Sequence, residues 1–216
     1  MNRTITIRGI GKLSLKPDQT VVSLTQKNLH AVYEKAMDEA AQHLEQLRHA
    51  IAEIGFSRDD LKTASFAVDT EYESERDENG NYQRRFVGYR VTHGLKLEFD
   101  FDAQRLSKVL GAIAACIAKP ELNVQFTVKD KEAVSAALLE SACRDAKSKA
   151  EMLTKASGVI LGDLLSIDYN WGELPLNSPT HYRMDNACMM KSAAPIEIAP
   201  DAIDVKDGVT FVWAIQ

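Results

Sequence analysis

Four groups of residues have types that could do chemistry. Gly9-Ile10-Gly11-Lys12 offers the glycines and lysine of a phosphate-cradling loop. Such a loop needs an earlier glycine, a Ser or Thr after the lysine and a helix behind it. Here Leu13 follows the lysine and the next residues alternate as a strand, so the segment reads as strand. Glu98, Asp100 and Asp102 resemble a cation cluster, but they are the polar face of a strand whose other face is Leu97, Phe99 and Phe101. Calcium needs six or more oxygens from a folded loop. His93 falls on the apolar face of its strand with no nucleophile motif beside it, which makes it a core or interface histidine instead of a general base. His181, Met184, Cys188, Met189 and Met190 are soft ligands suited to Cu(I), yet without a repeated spacing they read as incidental side chains of a loop. No catalytic residue, cofactor or metal is assigned, and the chain is expected not to be an enzyme.

The elements that position these residues come from an ordinary globular chain. It has 216 residues, 45% hydrophobic and 26% charged, with 11 Gly and 6 Pro, which excludes disordered and collagen-like classes. At this length a core can form without metals or disulfides. The net charge of −5 disfavours nucleic acid as a partner. The longest apolar stretch, Val109 to Ala118, is about half a membrane span. Asn2 to Ile7 alternates from the start and shows no apolar leader core, and the three cysteines (Cys116, Cys143, Cys188) imply no disulfide framework. A cytoplasmic location is expected.

Residues 3–27 alternate at period two with interruptions at Gly9-Ile10-Gly11 and Lys16-Pro17-Asp18, predicting two strands, the first bulged at its glycines. Val32, Ala36, Ala40, Leu44, Leu47, Ile51 and Ile54 then step at helical spacing up to Gly55. Further helices are predicted over 103–118, ending before Pro120, and over 131–157, ending at Gly158. Strands are predicted at 122–128, 164–169 and 209–215. The segment 170–195 has no period and is expected to be an irregular loop. Hairpin followed by helix occurs twice, at 3–55 and 63–118. The pattern is α+β: a mostly antiparallel sheet with three main helices on one face, in a single domain.

The strongest local signal is the hairpin over 63–101, with Asn79-Gly80 at its turn. A regular register pairs Phe66 with His93, Val68 with Val91 and Tyr72 with Val87; on the other face Asp69 meets Arg90 and Glu75 meets Arg84. The arm 69–78 carries an excess of five acidic charges, equal to the net charge of the whole chain. Thr63 to Glu78 is 16 residues. At about 3.3 Å each they span roughly 50 Å, against a radius of gyration of about 17 Å for a compact chain of this length. The arm must therefore bend or project. Projection leaves Phe66, Val68, Tyr72, Val87 and Tyr89 short of cover from their own chain, so they are the expected subunit contacts.

In order along the chain, several motifs resemble the SIMPL family. They are Ile7-Arg8-Gly9-Ile10-Gly11 with Leu15-Lys16-Pro17-Asp18, Gly55-Phe56-Ser57-Arg58-Asp59-Asp60-Leu61-Lys62-Thr63, Gly88-Tyr89-Arg90-Val91, and Ala142-Cys143-Arg144-Asp145-Ala146-Lys147-Ser148-Lys149-Ala150. The resemblance implies an α+β fold, a tendency to ring-like or channel-like homo-oligomers, and a link to oxidative-stress defence; it supplies no catalytic residues. The expectation is a non-enzymatic assembly or interaction protein whose partner is itself. The alternative is a small-molecule or soft-metal binder using the 170–195 loop.

Overall fold

The computed structural model describes residues 3–76, 82–170, 172, 174–184 and 198–216. Asn79-Gly80 and the loop residues Cys188, Met189 and Met190 lie outside the described residues. The architecture is α+β, with two antiparallel sheets and three helices. The chain divides into two compact units, one gathering residues 1–18, 127–179 and 200–216, the other 19–126 and 180–199.

The first unit holds a three-stranded sheet of β1 (Thr4–Leu15), β8 (Ile203–Ile215) and β6 (Leu161–Asp168), with β8 central, under helix α3 (Lys131–Ala156). Alternation in both long strands sends Ile7, Val209, Phe211 and Trp213 to one face, where they pack on Ala142, Ala146 and Ala150 of α3. Asp130 caps the helix, accepting a hydrogen bond from the Ala133 N–H at 2.8 Å. The register from Thr4↔Ala214 to Leu15↔Ile203 runs without a break, so the expected bulge at Gly9 and Gly11 is absent. The glycines answer a different need. A Cβ at Gly9 would run into the Ala142 carbonyl oxygen, and one at Gly11 into that of Leu138, so α3 lies directly on the β1 backbone. Asp145 locks the contact. Its Oδ2 accepts from the Ile10 N–H at 2.7 Å and from Lys149 Nζ at 2.6 Å, and both bonds hold its carboxyl below the usual range.

The second unit is a five-stranded sheet in the order β3 (Leu61–Arg76), β4 (Tyr82–Asp100), β2 (Gln19–His30), β5 (Glu121–Thr127), β7 (Tyr182–Met184). Helices α1 (Tyr33–Glu53) and α2 (Ala103–Ala115) cover one face, burying Val22, Leu24, Leu95, Leu97, Val124 and Phe126 beneath Leu47, Ile51, Val109 and Ile113. The uncovered face is polar, with ion pairs Lys27–Glu121 at 2.8 Å and Lys96–Glu98 at 2.9 Å. Asp102 is the cap of α2, accepting from the Arg105 N–H at 2.8 Å, so the acidic trio of the sequence divides among separate structural tasks.

Three further expectations need correction. The first two strands are not a hairpin: β1 pairs with β8 and β2 with β4. Helix α2 stops at Ala115, short of Ala118: the chain leaves the helix at Cys116, which is extended at φ −70° and ψ 137°. The segment after 170 is not wholly irregular. Tyr182–Met184 pairs with β5, Asn177 bridges Thr127, and Leu176 and Met184 are buried. No described helix is long and apolar enough to cross a membrane.

Candidate functional site

Strand β4 has β2 on one side only as far as Tyr89, the partner of His30. Beyond that point its sole neighbour among the described residues is β3, so 71–76 and 82–88 form a two-stranded ribbon. At about 3.3 Å per residue its described part reaches some 20 Å past the end of β2. The arm projects.

Its root is well packed. Val68 and Val91 sit under Ala36, Met37 and Ala40 of α1, and Tyr89 meets Tyr33 edge-on at 5.5 Å between ring centroids. From there the rings form a ladder: Tyr89 to Phe86 at 5.3 Å, then Phe86 to Tyr72 at 5.6 Å. The Arg84 guanidinium lies 4.8 Å above the Tyr72 ring and that of Arg76 4.8 Å above Tyr82. Such contacts favour holding the rings in place, but they do not remove them from water. Tyr72 keeps 45% and Phe86 41% of their surface exposed.

The opposite face is ionic. Arg90 pairs with Glu71, and Arg85 reaches Glu75 at 3.1 Å and Glu73 at 3.6 Å. The Arg90 hydrogen bond holds the Glu71 carboxyl below its ordinary value, and Glu71 in turn raises the guanidinium's. One face of the ribbon is thus aromatic and cationic, the other a mesh of paired charges.

The expected contact residues fare differently. Phe66 is exposed and meets His93 edge-on at 5.1 Å, as the register required. Val68 and Tyr89 are half-buried against α1, and Tyr72 is exposed. Val87 is not opposite Tyr72. The register shifts between Glu71 and Tyr72, so that Tyr72 faces Phe86, Glu75 faces Gln83, and Val87 is the extra residue of a bulge. The bulge moves Phe86 from the charged face to the aromatic one, which strict alternation could not foresee. Gly88 was the available signal: a glycine inside a strand pattern marks a bulge or a close approach, and a Cβ there would meet the His30 carbonyl oxygen at 2.5 Å.

Beneath α1 lies a second polar feature. His93, buried, bonds Thr63 Oγ1 through Nε2 at 2.9 Å, and the Asn28 side-chain amide bonds His43 Nδ1 at 2.8 Å. Gln26, the cross-strand partner of His93, is buried, and among the described residues neither its amide nitrogen nor its oxygen has a partner, nor does His93 Nδ1. Burial, and then the positive charge of Arg48, hold the His93 pKa below its ordinary value.

An open groove of about 780 Å³ runs between α1 and α2, with Glu45, His49, Glu53, Arg58 and Lys108 at its rim and Ala112 and Ala115 among its walls. Arg58 pairs with Glu45 there, and His49 Nδ1 is 3.5 Å from Glu53. Among the described residues no three His, Cys, Asp or Glu side chains converge as a metal site.

The fold and this surface define a two-sheet α+β protein with a projecting ribbon. The SIMPL family model, described as a protein of unknown function (DUF541), matches residues 5–213, and the chain belongs to that family. A search of curated proteins finds no match.

Proposed function

We propose that the chain is a non-enzymatic assembly protein that binds further copies of itself through the ribbon of residues 71–76 and 82–88. The observation that carries this reading is the ladder Tyr89–Phe86–Tyr72, which runs out from the covered root onto a ribbon with no described helix over it. An isolated two-stranded ribbon is marginal in water, and each large side chain left exposed forgoes about 1.5–3 kcal/mol of burial. A second subunit laid on the aromatic face recovers that energy and leaves the ion-paired face in water.

The test is solution mass by light scattering at tens of micromolar protein. The wild-type chain is expected to exceed its 24.0 kDa monomer mass, and Tyr72→Glu with Phe86→Glu to lower that mass. A monomeric wild type, or an assembly indifferent to both charges, overturns the reading.

A further inference from the structure

Helix α1 rests on two separate apolar clusters of unequal weight. Its second half sends Leu47 and Ile51 into the main core, against Leu24 and Leu95 of the sheet. Its first half buries only Ala36 and Ala40, on Val91, with Met37, Val68 and Tyr89 partly covered beside them. Burying leucine or isoleucine gains far more than burying alanine, so the second half is the anchor.

The row of the sheet between the two clusters is polar. Gln26 and His93 stand opposite each other there, between the Leu24–Leu95 pair and the Asn28–Val91 pair. Gln26 is 2% and His93 5% exposed, and among the described residues the Gln26 amide and His93 Nδ1 have no partner. On the helix side Arg48 Nε is buried in the same state. A partly satisfied polar layer holds its cover weakly, because each unpaired group has lost its water without return. The start of α1 is lightly tied as well. Val32 caps it without a side-chain hydrogen bond, and the third turn is joined to β2 by the Asn28–His43 bond at 2.8 Å.

We infer that the first half of α1, from Tyr33 to His43, is a lid that opens by itself while Leu47 and Ile51 keep the second half docked. Opening gives up a small apolar contact and returns Gln26, His93 and Asn28 to water. It also bares Val68, Val91 and Tyr89, the root from which the ladder runs out to Phe86 and Tyr72. The lid thus sets how far the aromatic face extends toward the sheet. That consequence rests on the assembly reading above, whereas the opening itself does not. Fraying is a different event: it loosens the first turn of a helix and would leave Val91 under Ala40.

The test is labelling of the full chain with N-ethylmaleimide in native buffer, on a background of Cys116→Ala, Cys143→Ser and Cys188→Ser. Val91 and Leu95 point to the same side of β4 and are 0% and 1% exposed, but they belong to the clusters under the first and second halves of α1. Val91→Cys is expected to react about a hundredfold or more faster than Leu95→Cys, since local opening reaches the first and only global unfolding the second. Equal rates overturn the lid. The larger cavity left by Leu95→Cys can only lower the ratio. A second measurement needs no new cysteine. In the wild-type chain, amide exchange at Ala40 to His43 is expected to change little with low denaturant, while exchange at Leu47 to Ile51 follows the steep slope of global unfolding. One common slope overturns the lid. The labelling ratio is expected to persist with Tyr72→Glu and Phe86→Glu present, and its loss there also counts against the lid. A failed lid leaves the mass test of the ribbon standing, and a failed ribbon leaves the labelling ratio.

Discussion

Tyr72 lies across the ribbon from Phe86, with ring centroids 5.6 Å apart and ring planes at 70°. This edge-on pair exists because β4 carries one residue more than β3 between Glu71 and Tyr72. Without the bulge, Phe86 would lie opposite Glu73 on the charged face, and the ladder from Tyr89 would end after one ring. The bulge therefore decides which surface the projecting arm offers a partner.

Gly88 makes that local geometry possible. The end of β2 passes so close that a side chain there would meet the His30 carbonyl oxygen at 2.5 Å. Gly88→Val is expected to destabilise the chain by about 1–3 kcal/mol, the usual range for overpacking. It should also disturb the Tyr33–Tyr89 contact at the root. Denaturant unfolding measures the first effect. An unchanged midpoint would show that β2 can give way at no cost.

Gln26 is a stability reserve. Its buried amide has no partner on either atom, and a group in that state costs about 1–3 kcal/mol. Gln26→Leu keeps a similar volume next to Leu24 and is expected to stabilise the chain by about 1 kcal/mol or more, read as a higher denaturation midpoint at unchanged slope. A loss of stability would mean that the amide is satisfied in solution.

Much of the architecture was legible from periodicity. Val32 to Ile54 at helical spacing and Gly55 behind them located α1, because a helix that buries one stripe must repeat that stripe. Phe66 opposite His93 and Val68 opposite Val91 followed from the same reasoning at period two. Pairing partners far apart in sequence were not legible. Nothing local in Thr4–Leu15 says that its partner is Ile203–Ile215 and not the adjacent strand, since both choices satisfy the alternation. The surface at the ribbon was half readable: Tyr72 and Phe66 were found, and Phe86 was hidden by a one-residue shift whose only trace is Gly88. The edge position of β6 could not be read at all, because an apolar run looks the same whether a strand is central or at an edge.

The Gly9–Ala142 approach carries its own prediction. A methyl at position 9 would run into the Ala142 carbonyl and come within 2.7 Å of the Ala146 Cβ, both parts of a rigid helix. Gly9→Ala is expected to cost about 1–3 kcal/mol. Gly172→Ala, where nothing lies within 4 Å, is the control and is expected to fall within about ±0.5 kcal/mol. Equal effects at the two positions would count against close packing of α3 on β1.

His93 makes stability depend on pH in a definite direction. Burial, helped by the positive charge of Arg48, holds its pKa in the folded chain below the ordinary value of 6.5, while the unfolded chain restores that value. As pH falls through about 6.5 the unfolded state takes up a proton that the folded state refuses, so unfolding becomes easier. Stability is complete above that pH and declines below it, by at most about 1.4 kcal/mol per pH unit, until the folded chain also protonates. Glu71 and Asp145 are lowered as well, but as carboxyls they act in a more acidic window, at and below their ordinary values near 4. The two effects separate on the pH axis. His93→Gln, which keeps a polar side chain facing Thr63, is expected to flatten the decline between about pH 7 and 5 and to leave the acid limb in place. Parallel unfolding curves for wild type and variant across that interval would show that another group carries the dependence.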